Sequence, residues 1–160
     1  MKKADHALYE KFIESQLHHA MKTAKMMPPS LRYHPKVDDY TMSCGMARTK
    51  GGRVWLAWFA GGDNDKAVMV FAKSDDDFRT FSEPQFLLDP GYADCGVHIS
   101  ALVGNLWTAP DGRLFLFYTQ SLGYFDGRAG NWYTVCENPD DEKPVWSEPL
   151  RMCDGAMLNK

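Results

Sequence analysis

At 160 residues, with 44% hydrophobic and 13% aromatic content, the chain is long enough for one ordinary domain with a core of its own. A formal net charge of −3 gives no basic footprint for nucleic acid, and no basic run meets an anionic membrane. No apolar stretch reaches the length of a membrane span, and the four cysteines (Cys44, Cys95, Cys136, Cys153) lack C-x-x-C metal spacing.

Free, buried thiols are therefore expected, with no metal and no cofactor. The charged start Met1-Lys2-Lys3 has no apolar segment behind it, so the compartment stays open between cytoplasmic and exported with a leader removed.

Residues 5–26 read as a helix. Leu8, Phe12, Ile13, Leu17, Ala20, Met21 and Ala24 recur at helical spacing, Asp5 is placed to cap the start, and Pro28-Pro29 stops it. His18 and His19 point about 100° apart on such a helix, a solvated face rather than a metal pair. Residues 27–40 read as an extended connector. Eight strands follow, at 40–48, 53–60, 67–73, 85–88, 98–108, 113–120, 131–136 and 150–153. Lys50-Gly51-Gly52, Gly61-Gly62-Asp63, Pro110-Asp111-Gly112 and Asp126-Gly127 supply turn chemistry between them.

The strands come as two copies of one unit. Gly52-Arg53-Val54-Trp55-Leu56-Ala57-Trp58-Phe59 returns 60 residues later as Gly112-Arg113-Leu114-Phe115-Leu116-Phe117-Tyr118, and Phe81-Ser82-Glu83-Pro84 returns 65 residues later as Trp146-Ser147-Glu148-Pro149. Four antiparallel strands per unit, rich in strand formers, is the pattern of a β-propeller blade. The Gly-Arg turn joins the first two strands, where a tight hairpin needs positive φ. The Ser-Glu-Pro element opens the fourth strand, where an edge tolerates Pro. The expected fold is all-β: an N-terminal helix and connector (1–39), then about two blades of a propeller of about six (40–91 and 92–160).

Between the third and fourth strands lies Ser74-Asp75-Asp76-Asp77-Phe78-Arg79-Thr80-Phe81. It resembles the Asp-box of sialidase-type propellers, Ser-x-Asp-x-Gly-x-Thr-Trp. Ser74, Asp76 and Thr80 match, Phe81 replaces Trp, and Phe78 stands at the Gly position. The carboxylate is expected to accept hydrogen bonds from turn amides while the aromatic packs beneath the hairpin. That makes Asp76 a folding device, not a catalyst. In the second unit the box has decayed to residues 138–146, with Trp146 surviving. Leu56-Ala57-Trp58-Phe59-Ala60-Gly61-Gly62 is similar to a segment of bacterial neuraminidases with BNR repeats, and the resemblance covers roughly residues 40–160.

The resemblance implies a glycoside hydrolase acting on a terminal, acidic sugar. In that family three arginines hold the sugar carboxylate, a Tyr activated by Glu is the nucleophile, and an Asp is the acid/base, outside the two-carboxylate scheme. The first arginine would fall near Met42-Ser43-Cys44, where there is none, and Arg48 comes six residues late. The acid/base Asp corresponds to Asp63 or Asp65 in the loop after the second strand. His98, beside the innermost strand of the second unit, is a further candidate acid/base because its side chain titrates near neutral pH. Asn105 is a candidate ligand contact. In the long loop from Ser121, Arg128 is a candidate for a carboxylate, and Tyr124 and Trp132 are candidates for stacking on a sugar face.

Two blades do not close a ring, and repeat arrays need three or more units. The expectation is a chain holding the first two blades of a larger enzyme, whose Tyr and Glu lie beyond Lys160. Two alternatives stand beside it: a sugar-binding module that assembles a ring from several chains, and a propeller polysaccharide lyase with His98 as its acid/base.

Overall fold

A computed structural model describes residues 5–123, 126–155 and 158, without the side chains at 43 and 44. Helix α1 (His6–Ala20) opens the chain, and the Asp5 carboxylate caps it by accepting from the amides of Ala7 and Leu8. The helix ends six residues earlier than its sequence pattern implies. Lys25–Met27 is instead a strand, β1, paired antiparallel with β5 (Phe86–Asp89). Pairing with β5 decides the matter: β1 satisfies the ladder groups of a strand that would otherwise be an edge. Of the helix's apolar positions only Ala20 is buried, while Leu8 and Phe12 are exposed.

The remaining strands lie within a residue or two of their expected places. They are β2 (Thr41–Arg48), β3 (Val54–Ala60), β4 (Val68–Ser74), β5, then β6 (Ile99–Thr108), β7 (Leu114–Leu122), β8 (Gly130–Cys136) and β9 (Leu150–Asp154). They form two antiparallel sheets, of order β1-β5-β4-β3-β2 and β6-β7-β8-β9. The first sheet thus has five strands, not four. The protein is mostly β with one helix, and the described residues form no closed barrel or ring.

The internal repeat is physical. Both innermost strands carry a register shift at matching places, between Met42 and Gly45 in β2 and between Leu102 and Asn105 in β6. The serine of each Ser-Glu-Pro element makes the same exchange with the third strand of its sheet. Ser82 gives its N–H to the Lys73 carbonyl (2.8 Å) and takes the Lys73 N–H on Oγ (3.0 Å); Ser147 does the same with Val135 (2.7 and 3.0 Å). Pro84 and Pro149 stand before β5 and β9, not within them, so neither removes a ladder bond, and β5 is no edge.

The sheets pack face to face. Trp55, Ala57 and Phe59 of β3, with Met69 and Phe71 of β4, meet Leu114, Leu116 and Tyr118 of β7 in one buried cluster. The inner strands approach closely: a Cβ on Gly45 would lie 2.3 Å from the Gly104 carbonyl oxygen. At one end, Asp140 in the decayed box of the second unit accepts from Gly51 N (3.0 Å) and from the Thr49 hydroxyl. Trp55 Nε1 donates to the Pro139 carbonyl (2.9 Å), and Arg53 Nη1 to the Asp141 carbonyl (2.6 Å). The 139–141 turn is thus a clamp between the two sheets.

The Ser74–Thr80 turn closes on the Asp76 carboxylate. Asp76 accepts from Ser74 Oγ (2.9 Å), Thr80 N (2.8 Å) and Thr80 Oγ1 (2.6 Å), and the two Thr80 bonds dominate in holding its carboxyl below the usual range. Asp77 (φ 61°) and Phe78 (φ 67°) both take left-handed backbone, the conformation that makes Gly the usual residue in this turn. Phe81, however, does not pack beneath the hairpin. It is 49% exposed, edge-on to Phe78. Its counterpart Trp146 does pack, among Trp55, Phe71 and Phe86 at centroid distances of 5.4–6.5 Å.

Cys95, Cys136 and Cys153 are free thiols, but only Cys136 is buried. Burial pushes its pKa up to about 11. The expectation of buried thiols fails for Cys95 and Cys153, which lie on a loop and on the edge strand β9.

Candidate functional site

The β3–β4, β5–β6 and β7–β8 connections leave the sheets at one end, opposite the Gly51 clamp. Here the structure gathers most of the candidate residues. Gly61 (φ 87°) and Gly62 (φ 103°) turn the first connection, and Asp38 Oδ2 pins it by accepting from Gly61 N (2.7 Å). Asp63 and Asp65 are both exposed on this turn. Asp63 lies near Tyr40, whose phenol is raised first by desolvation and then by this carboxylate.

Asp65 and His98 are brought together, through the Asp65 backbone. His98 is 9% exposed, with Nδ1 2.8 Å from the Asp65 carbonyl and Nε2 3.3 Å from Asp89 Oδ1. Two acceptors on two ring nitrogens suit the imidazolium, which donates from both. The hydrogen bond to Asp89 raises the His98 pKa and outweighs the opposing effect of burial. Burial pushes Asp89 up, but the His98 bond and the Gly91 N–H (2.7 Å) more than reverse it, and the carboxyl sits low. Tyr92 stands edge-on to the imidazole at 5.0 Å. His98 therefore ties the end of β5, the Asp63–Asp65 turn and the start of β6 into one node. Sequence reasoning missed Asp89 and Tyr92; their signal was position, at the close of one strand and in the loop leading to His98.

Arg128 is at this end but already engaged. Its guanidinium chelates Asp126 (Nη2–Oδ2 2.7 Å, Nε–Oδ1 3.0 Å), Phe12 of α1 stands 5.6 Å away, and 15% of the side chain is exposed. The Asp126 bond leads in raising the Arg128 pKa. The same fold-back joins Arg113 to Asp111 (Nε–Oδ2 2.9 Å), so Asp-Gly-Arg, written twice in the sequence, was the readable sign of this pair. Tyr124 lies outside the described residues. Trp132 is 2% exposed, part of the core between the sheets and 5.6 Å from the Arg151 guanidinium, so it offers no open face for stacking. Asn105 lies mid-strand on β6 opposite Phe117, seven residues from His98 and roughly 20 Å along the strand. It shares no surface with the loop cluster.

The cluster that remains combines two exposed carboxylates, Asp63 and Asp65, with the hydrogen-bonded His98–Asp89 pair. Such a turn can present a proton donor or acceptor to a ligand at its rim. Among the described residues, no group of three or more His, Cys, Asp or Glu is placed to hold a metal ion, and no helix is long and apolar enough to cross a membrane. No protein-family model matches the chain, and no curated protein matches it.

Proposed function

We propose that the two sheets are consecutive blades of a sialidase-like β-propeller and that the chain belongs to a glycoside hydrolase acting on a terminal, acidic sugar. The observation that carries this reading is the Asp-box turn: the Ser74–Asp76–Thr80 bonds recur in the pattern of that family, in a turn joining the third and fourth strands of a repeated sheet. Support for the site comes from the opposite end, where the Asp63–Asp65 turn lies between the sheets' connections with its carboxylates open to solvent. In this reading Asp63 or Asp65 delivers the proton to the leaving oxygen. The His98–Asp89 pair holds the turn in place, since both imidazole nitrogens are already engaged.

The test is turnover of a panel of aryl glycosides and of sialic and uronic acid conjugates. Cleavage of an acidic member, lost in Asp63→Ala or Asp65→Ala while the far-UV spectrum stays unchanged, supports the reading. Absence of cleavage across the panel sinks it.

A further inference from the structure

The turn that carries Asp63 and Asp65 is anchored at both ends and held near its middle by the ring of His98. At the leading end Gly61 N donates to Asp38 Oδ2 (2.7 Å). Asn64 closes the turn on itself, giving Nδ2 to the Gly61 carbonyl (3.1 Å) and accepting Lys66 N on Oδ1 (2.8 Å). At the trailing end the Ala67 carbonyl accepts from Ala101 N of β6 (2.8 Å). Between these anchors the Asp65 carbonyl meets His98 Nδ1 at 2.8 Å. Gly61 and Gly62, both at positive φ, give the leading end a backbone freedom that other residues lack.

The ring itself is fixed from the other side. Its Nε2 lies 3.3 Å from Asp89 Oδ1, and that oxygen is held in turn by Gly91 N (2.7 Å). Tyr92 stands edge-on to the ring at 5.0 Å and pairs with His98 through an isolated backbone bridge. Two further bonds close this loop, Ile99 N to the Gly91 carbonyl (2.9 Å) and Ala93 N to the Val97 carbonyl (2.8 Å). Lys22 Nζ donates to the Tyr92 carbonyl. The charged and titratable groups around the ring are therefore Asp89 at the end of β5, Asp65 on the turn, Tyr92 in the loop and Lys22 behind it, with Tyr33 close enough to feel Asp89 and Tyr92. Of the two bonded partners, Asp89 belongs to this braced side and Asp65 to the hinged turn.

An imidazolium donates from both ring nitrogens, and a neutral imidazole from only one. Both nitrogens of His98 face oxygen acceptors, so loss of one proton sets a lone pair against one of them. Asp89 carries a full charge and the Asp65 carbonyl only a dipole, so the remaining proton stays on Nε2 and the bare Nδ1 is left facing Asp65. We infer that a proton on His98 latches the Asp63–Asp65 turn, and that its loss to solvent releases the Asp65 carbonyl while Asp89 keeps the ring. The Asp89 bond raises the His98 pKa and burial opposes it. The latch is closed below that raised value and opens as pH climbs through it. The turn bears the carboxylates proposed above as proton donors, yet the latch is read from ring and backbone signals, so cleavage of a sugar neither supports nor refutes it.

NMR titration of the full chain between about pH 5 and pH 9 tests it, following the His98 ring nitrogens and the backbone amides of the turn together. The neutral ring is expected to carry its proton on Nε2. Amide order parameters at Asp65 and Lys66 are expected to fall from about 0.85 toward about 0.6 on the alkaline side, with the midpoint of the ring titration. A ring that keeps one charge state throughout overturns the latch. So does a neutral ring protonated on Nδ1, or a turn equally ordered on both sides of the ring titration. The unaltered chain answers by itself, and Asp89→Asn gives a second measurement. Its ring and turn midpoints are expected to fall together by about one to two pH units, the equivalent of one charged hydrogen bond. A ring midpoint that falls while the turn midpoint stays overturns the coupling.

Discussion

At the scale of single residues, charge pairing decides which candidates are free to act. His98 is raised by its bond to Asp89 and Asp89 is depressed by the same bond. A raised histidine stabilises fully below its unfolded pKa of about 6.5 and loses that contribution as pH rises through the folded value. A depressed aspartate stabilises above its unfolded pKa of about 3.9 and loses it as pH falls through the folded value. The pair therefore contributes fully between about pH 4 and pH 6.5. Asp89→Asn is expected to cost about 1.5–3 kcal/mol there, the worth of a charged hydrogen bond, and less at alkaline pH. Thermal unfolding at several pH values checks this, and NMR titration of the His98 ring should show its pKa falling in the variant. Residue types alone made His98 and Arg128 candidates, but neither a type nor its spacing says whether a partner has already taken the charge. Only for Arg128 did the sequence carry the hint, in Asp126 two residues before it.

At the scale of the element, patterns with period two were legible to within about two residues, because alternation and turn chemistry are local. The helix boundary was not. Ala20 and Ala24 keep a helical spacing, yet Ala24 is buried in the sheet core and Lys25–Met27 pair with β5. Local periodicity loses there to a ladder whose partner is some sixty residues distant. The inner strands give a test of packing: Gly45→Ala sets a methyl against the Gly104 carbonyl. The loss should be about 1–3 kcal/mol, the usual cost of overpacking, read from the midpoint of urea unfolding. The Ser74–Thr80 turn gives a second. Asp76→Asn should lower the melting temperature at neutral pH and have little effect in acid. The native carboxylate contributes only above the ordinary carboxylate range, and that contribution disappears as pH falls through its depressed pKa.

At the scale of the molecule, one core cluster spans both sheets, so they are expected to unfold together in a single transition. Asp140→Ala removes the acceptor for Thr49 Oγ1 and Gly51 N and should cost about 1–2 kcal/mol without splitting that transition. Calorimetry checks both statements, since two resolved peaks would contradict them. The repeated segments, the strands and their turns were legible in the chain, because each is written in neighbouring residues a few positions apart. Only the tertiary structure shows that β1 completes the first sheet, that Asp89 and Asp65 engage His98, that Trp132 is core, and that Trp146 packs against the core while Phe81 does not. Those outcomes depend on which surfaces meet, and contacts between residues tens of positions apart leave no local pattern in the chain.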